Sequence, residues 1–344
     1  MPDTPIIAID AMGGDFGPEV TVAAAAIVLK NRQDINLILI GLEDQIQPHL
    51  VTHNLHLSDR LSIVHASEVV AMDEAPAQAL RKKKDSSMRV AINLVHDGKA
   101  NAAVSAGNTG ALMATAKFVL KTLPGIDRPA IMTTLPNTQG HTHMLDLGAN
   151  VDSSADHLFQ FAVMGSVTAT AVDNVKNPRV GLLNVGSEAM KGNAQVKAAE
   201  PLLQNSNLNY IGFVEGDDIY NGSVDVVVCD GFVGNISLKT SEGVAKMITQ
   251  FMREEFKRNL ITKLIAIIAL PVLKSFKKRV DHRRYNGASL LGLKDIVIKS
   301  HGGADAYSFS NAIEVAILEV EKSVPQQIDS HLEALLETPQ SASV

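Results

Sequence analysis

Five short segments put glycine beside an acid, amide or hydroxyl: Asp10-Ala-Met-Gly-Gly, Ser105-Ala-Gly-Asn-Thr-Gly, Asp146-Leu-Gly-Ala-Asn, Asn184-Val-Gly-Ser-Glu and Asp230-Gly-Phe-Val-Gly-Asn. Glycine lets backbone N–H groups approach a ligand closely, and a helix starting just beyond adds unpaired donors with partial positive charge. Gly13, Gly14, Gly110 and Gly186, with Ser105, Asn108, Thr109, Asn150, Asn184, Ser187 and Asp230 around them, are therefore candidate contacts for phosphate or another anion. Any one of these turns fits tight geometry with a capped helix equally well. Their recurrence favours binding. Neither nucleotide fingerprint is present: no G-x-G-x-x-G follows the first strand and no G-x-x-x-x-G-K-[ST] occurs.

Three further groups add charge or polarity. Lys191 follows Ser187 and Glu188 at an expected helix start, where its ammonium would meet an anion held by the turn; a solvated lysine is the plain alternative. Asn235 follows a second glycine turn, where its amide would donate to a developing oxyanion or simply cap a helix. The run "LRKKKDSSM" sets Arg81 and Lys84 before Ser86, which reads as a solvated basic face or as a phosphate contact beside a serine-capped helix. Nucleophilic catalysis has little support, since Cys229 ends an apolar strand and reads as a buried thiol. His141 and His143 share a strand face, but the spacing offers no third ligand, so no metal or other cofactor is expected.

The elements that must carry these loops are short β-branched runs alternating with alanine-rich segments. "IIAID", "INLILIG", "LSIVHA", "ANAAVSAG", "THMLDLG", "RVGLLNVG" and "SVDVVVCD" read as strands, with helices between several of them. The alternation predicts βα units and a mostly parallel sheet covered on both faces, a three-layer α/β/α fold. Ligands of such sheets bind outside the carboxyl ends of the strands, so all five loops are expected to converge there. No linker divides the chain: residues 1–335 read as one large domain, and the tail "ETPQSASV" is expected to fray.

Composition narrows the functional classes. The chain has 344 residues, 46% hydrophobic and 20% charged, as in ordinary globular proteins. Aromatics are only 4% and Trp is absent, which removes most stacking platforms for single-stranded nucleic acid. A single cysteine excludes an intramolecular disulfide and fits a reducing compartment. The start, "MPDTPIIAID", lacks the basic region and long apolar run of a secretory signal, so a cytoplasmic location is expected.

Residues 256–285 stand apart. The run 260–270 is strongly apolar but well short of the roughly 20 residues a spanning helix needs. Pro271 is expected to break or kink the helix, after which Val272, Leu273, Phe276 and Val280 recur at helical spacing. From Lys257 to Arg284 there are nine basic residues and one acid, Asp281. Leu260, Leu264, Ile267, Ile268 and Phe276, with Lys277, Lys278 and Arg279, suit an amphipathic hairpin lying on an anionic membrane, each nearby basic residue contributing about 1 kcal/mol. A core or dimer-interface helix with a basic face is the alternative.

In order along the chain, "AIDAMGGDFGP", "APAQALRKKKDSSM", "SAGNTGA", "DRPAI", "DLGAN", "RVGLLNVGSEAMKG", "DGFVGN" and "LLGL" resemble the bacterial phosphate acyltransferase family from Ala8 to Leu293. The chain departs from that pattern at Asn286-Gly287, where paired glycines are common, and at "HGGAD", where a serine commonly follows His-Gly. The resemblance implies a fold similar to phosphotransacetylases and to isocitrate and isopropylmalate dehydrogenases. It also implies a homodimer at the inner face of the plasma membrane that makes acyl phosphate from acylated acyl carrier protein and inorganic phosphate, supplying the next acyltransferase of phospholipid synthesis. On that basis Lys191 and the loop amides would hold phosphate for direct attack on the thioester and Asn235 would polarise its carbonyl. Gly13 and Gly14 would line the pocket, with Asp10 and Asp15 orienting their loop. A dehydrogenase-like oxidoreductase, allowed by fold class alone, and a non-enzymatic lipid-surface scaffold are the competing readings; nucleic acid is not expected as a partner.

Overall fold

The structure, a computed structural model, describes residues 4–337; residues 338–344 of the expected tail lie outside them. The first half alternates β1 (Ile6–Asp10), α1 (Pro18–Asn31), β2 (Asn36–Gly41), α2 (Glu43–Thr52), β3 (Leu61–His65), α3 (Pro76–Lys82), α4 (Ser87–His96), β4 (Ala102–Ser105) and α5 (Thr109–Leu120). The hairpin β5 (Ala130–Pro136) and β6 (His141–Leu145) leads into α6 (Ala155–Asp173), β7 (Val180–Leu183), α7 (Ala194–Gln204), β8 (Tyr210–Val214), α8 (Asp218–Asn221) and β9 (Val226–Val228). Two long helices follow, α9 (Gly231–Lys257) and α10 (Leu260–Val280), and then β10 (Ala288–Leu291), β11 (Ile296–Lys299), α11 (Ala306–Glu321) and α12 (Val324–Glu337).

The eleven strands among the described residues join one sheet in the order β3-β2-β1-β4-β11-β10-β5-β6-β9-β7-β8. Strands such as β1 are buried along nearly their whole length because helices cover both faces. On one face of the first half, Ile7, Ile9, Leu37 and Leu39 meet Val22 and Val28 of α1 and Phe309 and Ile313 of α11. In the second half, Leu145, Val180 and Val228 meet Phe161 and Met164 of α6 and Leu203 of α7. The other face carries one core across both halves, where Ala8, Ala103, Met144 and Val227 pack with Ile92 of α4, Leu112 of α5 and Leu238 of α9. The expected three-layer fold is present, and each of the seven expected runs contains a strand.

Strand direction changes the expected site. The pairs β1–β2, β1–β4, β2–β3 and β4–β11 are parallel, as are β6–β9, β7–β9 and β7–β8. Between these blocks β11–β10, β10–β5 and β5–β6 are antiparallel. Three reversals point the β6 block opposite to the β1 block. The loops after β1 and β4 therefore leave one edge of the sheet, whereas those after β6, β7 and β9 leave the other. The five loops do not converge at one edge, as expected from a uniformly parallel sheet.

The amphipathic hairpin also differs from its expected bounds. Its arms are α9 and α10, so it begins at Gly231 rather than near residue 256, and the chain bends by 120° between the two helices. Asn259 starts α10 with a capping box, its side chain accepting from the Thr262 amide while Thr262 Oγ1 accepts from the Asn259 amide. Helix α10 continues through Pro271 instead of ending there. Leu260, Leu264, Ile267, Ile268 and Phe276 are exposed, as are Met247, Ile248 and Phe251 of α9. Arg279 is exposed too; the side chains of Lys277 and Lys278 lie outside the described residues. Among the described residues no single helix is long and apolar enough to cross a membrane.

Candidate active site

At the first edge, the loops after β1, β4 and β11 interlock. Asp10 is fully buried, and its Oδ2 accepts from Ser105 Oγ at 2.6 Å, while Ser105 Oγ accepts from the Gly107 amide at 3.0 Å. A Cβ on Gly13 would lie 2.7 Å from Asp10 Oδ2 and 2.8 Å from the Gly107 nitrogen, so only glycine allows the two loops to approach this closely. The Asp15 amide donates to the Gly302 carbonyl at 2.9 Å, joining the β11 loop to them. Burial pushes the Asp10 carboxyl up, opposed by the hydrogen bond from Ser105, and its Oδ1 is buried with no hydrogen-bond partner among the described residues.

Lys299 ends β11 beside this loop cluster. It is buried and its Nζ donates to the Ala106 and Ser300 carbonyls. Burial lowers its pKa to about 8, with Asp10 and Asp15 opposing that shift and Lys239 of α9 adding to it. His301 is likewise pushed down by burial and by Lys239. Asn286 holds this strand end: its Nδ2 donates to Ser300 Oγ and the Ser308 carbonyl, and its Oδ1 accepts from the His301 amide, each within 3.0 Å.

At the opposite edge, buried Asp146 organises its own loop, accepting from the Ile131, Ala149 and Asn150 amides and from Asn150 Nδ2 at 2.6–3.1 Å. Asp230 caps α9 through the Phe232 amide at 2.9 Å and takes the Ser153 amide at 3.1 Å. The first turn of α9 lies directly on the Asp146 loop. A Cβ on Gly234 would fall 1.9 Å from the Asp146 carbonyl oxygen, and one on Gly148 would sit 3.5 Å from the Asn235 side chain. Asn235 is thus set by close backbone packing. Burial pushes the Cys229 thiol well above its ordinary range, which fits a structural rather than nucleophilic role.

The β7 loop supplies the exposed cation. Lys191 pairs with Glu188 at 2.7 Å and its own amide donates to the Glu188 carbonyl, while Asn184 Nδ2 reaches the Lys191 carbonyl at 3.3 Å. Glu188 holds the Lys191 pKa above its ordinary value. Helix α7 starts only at Ala194, capped by Asn193, so Lys191 lies on an irregular loop and not at the helix start expected from Ser187 and Glu188.

Helix α9 connects the two edges. Its first turn packs on the Asp146 loop, and Lys239, one turn beyond Asn235, is close enough for its charge to lower the pKa values of Lys299 and His301 across the sheet face. At 27 residues, about 40 Å, α9 is long enough to run from one edge past the other.

Residues 6–327 match the model of a family described as fatty acid synthesis protein. A phosphate acyltransferase from Nitrosococcus oceani is 62% identical over 330 residues, covering 96% of this chain and 97% of the relative. One from Legionella pneumophila (strain Paris) is 59% identical over 319 residues, 92% of this chain and 93% of that one. The chain belongs to the phosphate acyltransferase family. Membership makes it an acyltransferase, and neither the oxidoreductase nor the scaffold reading is favoured. Solved phosphotransacetylases share its fold: one from Streptococcus pyogenes has a TM-score of 0.62 at 18% identity over 92% of this chain and 94% of its own, and one from Staphylococcus aureus 0.58 at 17% over 94% of each.

Within this phosphate acyltransferase fold the expected residues take different places. Ser105, Asn150 and Asp230 are buried and spend the hydrogen bonds above on shaping loops, and Ser86 caps α4. Asn108 caps α5 and its Nδ2 donates to the Met72 and Glu74 carbonyls. Thr109 and Gly110 are the first two residues of α5, exposed, with amides that have no intrahelical acceptor. Pro76 of α3 stands against Gly110, which brings the exposed Arg81 and Lys84 segment alongside this helix start. Lys299, His301 and Lys239 were not expected. A lone lysine after "IVI" resembles any solvated strand end until β4 is seen beside it.

Proposed function

We propose that the protein transfers an acyl group from the thioester of acyl carrier protein to inorganic phosphate, forming acyl phosphate. The observation that carries this reading is the near-full-length similarity to proteins named phosphate acyltransferase. Phosphate is substantially dianionic near neutral pH, so it needs positioning rather than deprotonation. One phosphate oxygen attacks the thioester carbonyl, a C–O bond forms, the C–S bond breaks, and the carrier thiolate leaves to take a proton. In this scheme Lys191 and loop amides hold phosphate, and Asn235, pinned against Gly148, donates to the carbonyl oxygen as it becomes an oxyanion. Exposed Val185, Met190, Phe232 and Val233 around these loops offer apolar contact to an acyl chain.

In the same proposal the protein is a cytoplasmic homodimer whose exposed α9–α10 hairpin rests on the inner face of the plasma membrane, where acyl phosphate passes to a downstream acyltransferase. The apolar faces and basic excess of that hairpin support the placement. Purified protein given acylated carrier should, only when phosphate is present, yield a small product that, once separated from the carrier, hydroxylamine converts to acyl hydroxamate. Absence of hydroxamate with intact, folded protein would overturn the proposal.

A further inference from the structure

His141 and His143 have a third companion. They alternate along β6 and so project to one face of the sheet, where Asp173, the last residue of α6, meets both. Asp173 Oδ2 lies 3.0 Å from His141 Nε2 and 2.5 Å from His143 Nε2, and all three potential ligand atoms fall within 4.8 Å of one another. His143 is 5% exposed, Asp173 23% and His141 36%, so the group is anchored in the fold yet open to solvent on one side.

We propose that this triad binds a divalent transition-metal ion of the zinc, cobalt or nickel type, with water completing the coordination. Two imidazole nitrogens and one carboxylate oxygen suit such borderline ions, whereas magnesium and calcium favour all-oxygen sets. Around a tetrahedral ion with bonds near 2.0–2.1 Å, ligand atoms stand about 3.3 Å apart. The two carboxylate–imidazole spacings reach that value by parting less than about 1 Å, and the two imidazole nitrogens already lie within 4.8 Å of each other. The surroundings favour a cation: Asp173 closes the α6 C-terminus, where the helix carries partial negative charge, and Asp225 lies nearby, itself paired with Arg179.

Orientation of the inner ligand is already provided. Thr134, directly across the β5–β6 ladder, places Oγ1 3.2 Å from His143 Nδ1. A hydroxyl can donate to or accept from that nitrogen, so it can support the Nδ1–H tautomer that frees Nε2 for a metal. His143 lies three residues, about 10 Å, before Asp146 along the strand, so the ion would tie the hairpin to α6 at the end of β6 away from the Asp146 loop.

Titration of chelator-treated full-length protein with Co²⁺ and Zn²⁺ tests the proposal. Expected are one high-affinity equivalent per chain, visible absorption typical of low-coordinate Co²⁺, and at least tenfold weaker binding in His141→Gln and in Asp173→Asn. Thr134→Val should weaken binding about tenfold while retaining the stoichiometry. His141 is partly exposed, so its variant keeps a readable fold even if Asp173→Asn does not. No stoichiometric binding by wild-type protein, or equal affinity in His141→Gln, would overturn the proposal.

Discussion

Placing a methyl group at Gly234 probes the link between backbone packing and the candidate active site. In Gly234→Ala the new Cβ would stand 1.9 Å from the Asp146 carbonyl oxygen and 2.8 Å from Cys229 Sγ. Ordinary contact begins at 3.4 Å, so the first turn of α9 must retreat by about 1.5 Å. The adjacent Asn235 moves with it. Overpacking of this kind costs roughly 1–3 kcal/mol of stability, and a misplacement of about 1 Å at a reacting centre costs on the order of 10² in rate. Gly243→Ala, on the same helix with nothing within 4 Å of its Cβ, is the matched control. It should gain up to about 1 kcal/mol through helix propensity and leave kinetics unchanged. Thermal unfolding together with kcat/KM for acyl transfer separates the two effects: Gly234→Ala should remain folded at assay temperature and lose at least about 10² in kcat/KM. Wild-type kcat/KM in folded Gly234→Ala would refute the role given to Asn235.

Lys191→Ala should keep the fold and lower turnover by roughly 10² to 10³, the scale of one preorganised electrostatic donor; unchanged steady-state kinetics would remove Lys191 from the mechanism. Replacing Leu264, Ile267 and Ile268 with Gln should weaken sedimentation with anionic liposomes while sparing activity on soluble substrate, and retained liposome binding would make the hairpin structural. Glu319, buried beside Ser289, has its pKa raised by burial to about 7 from an ordinary 4.5. The folded state therefore holds this proton more tightly, so stability from this group is full below pH 4.5 and is lost as pH rises to 7. That loss approaches about 3 kcal/mol. Glu319→Gln should flatten the decline in chemical-denaturation stability over this window and be more stable than wild type at pH 8; an unchanged profile would count against it.

Much of the fold was legible because β1, β2, β7 and β9 are near-continuous apolar runs that only burial between helix layers explains. The four-residue β10 and β11 left no comparable signal; β11 runs parallel to β4 and β10 is antiparallel to both β11 and β5, so the antiparallel β5–β6 hairpin sets the net reversal of the second half. Register between distant strands is not written in local periodicity. The loops expected as anion sites do follow strands, but they leave two edges of the sheet rather than one. Pro271 looked like a helix stop because it lacks an N–H and crowds the carbonyl four residues earlier, that of Ile267. Ile267 lies on an exposed stretch of α10, where water can take the freed carbonyl. Asp173 was invisible as a partner of His141 because 32 residues and the whole of α6 separate them.

In the proposed mechanism phosphate itself attacks the thioester, with no acyl-enzyme between. Rapid-mixing measurement of free carrier thiol, with enzyme at a concentration comparable to acylated carrier, tests this directly. Thiol release is expected only when phosphate is present, rising with phosphate concentration to saturation. One equivalent of thiol released per subunit in the absence of phosphate would contradict it.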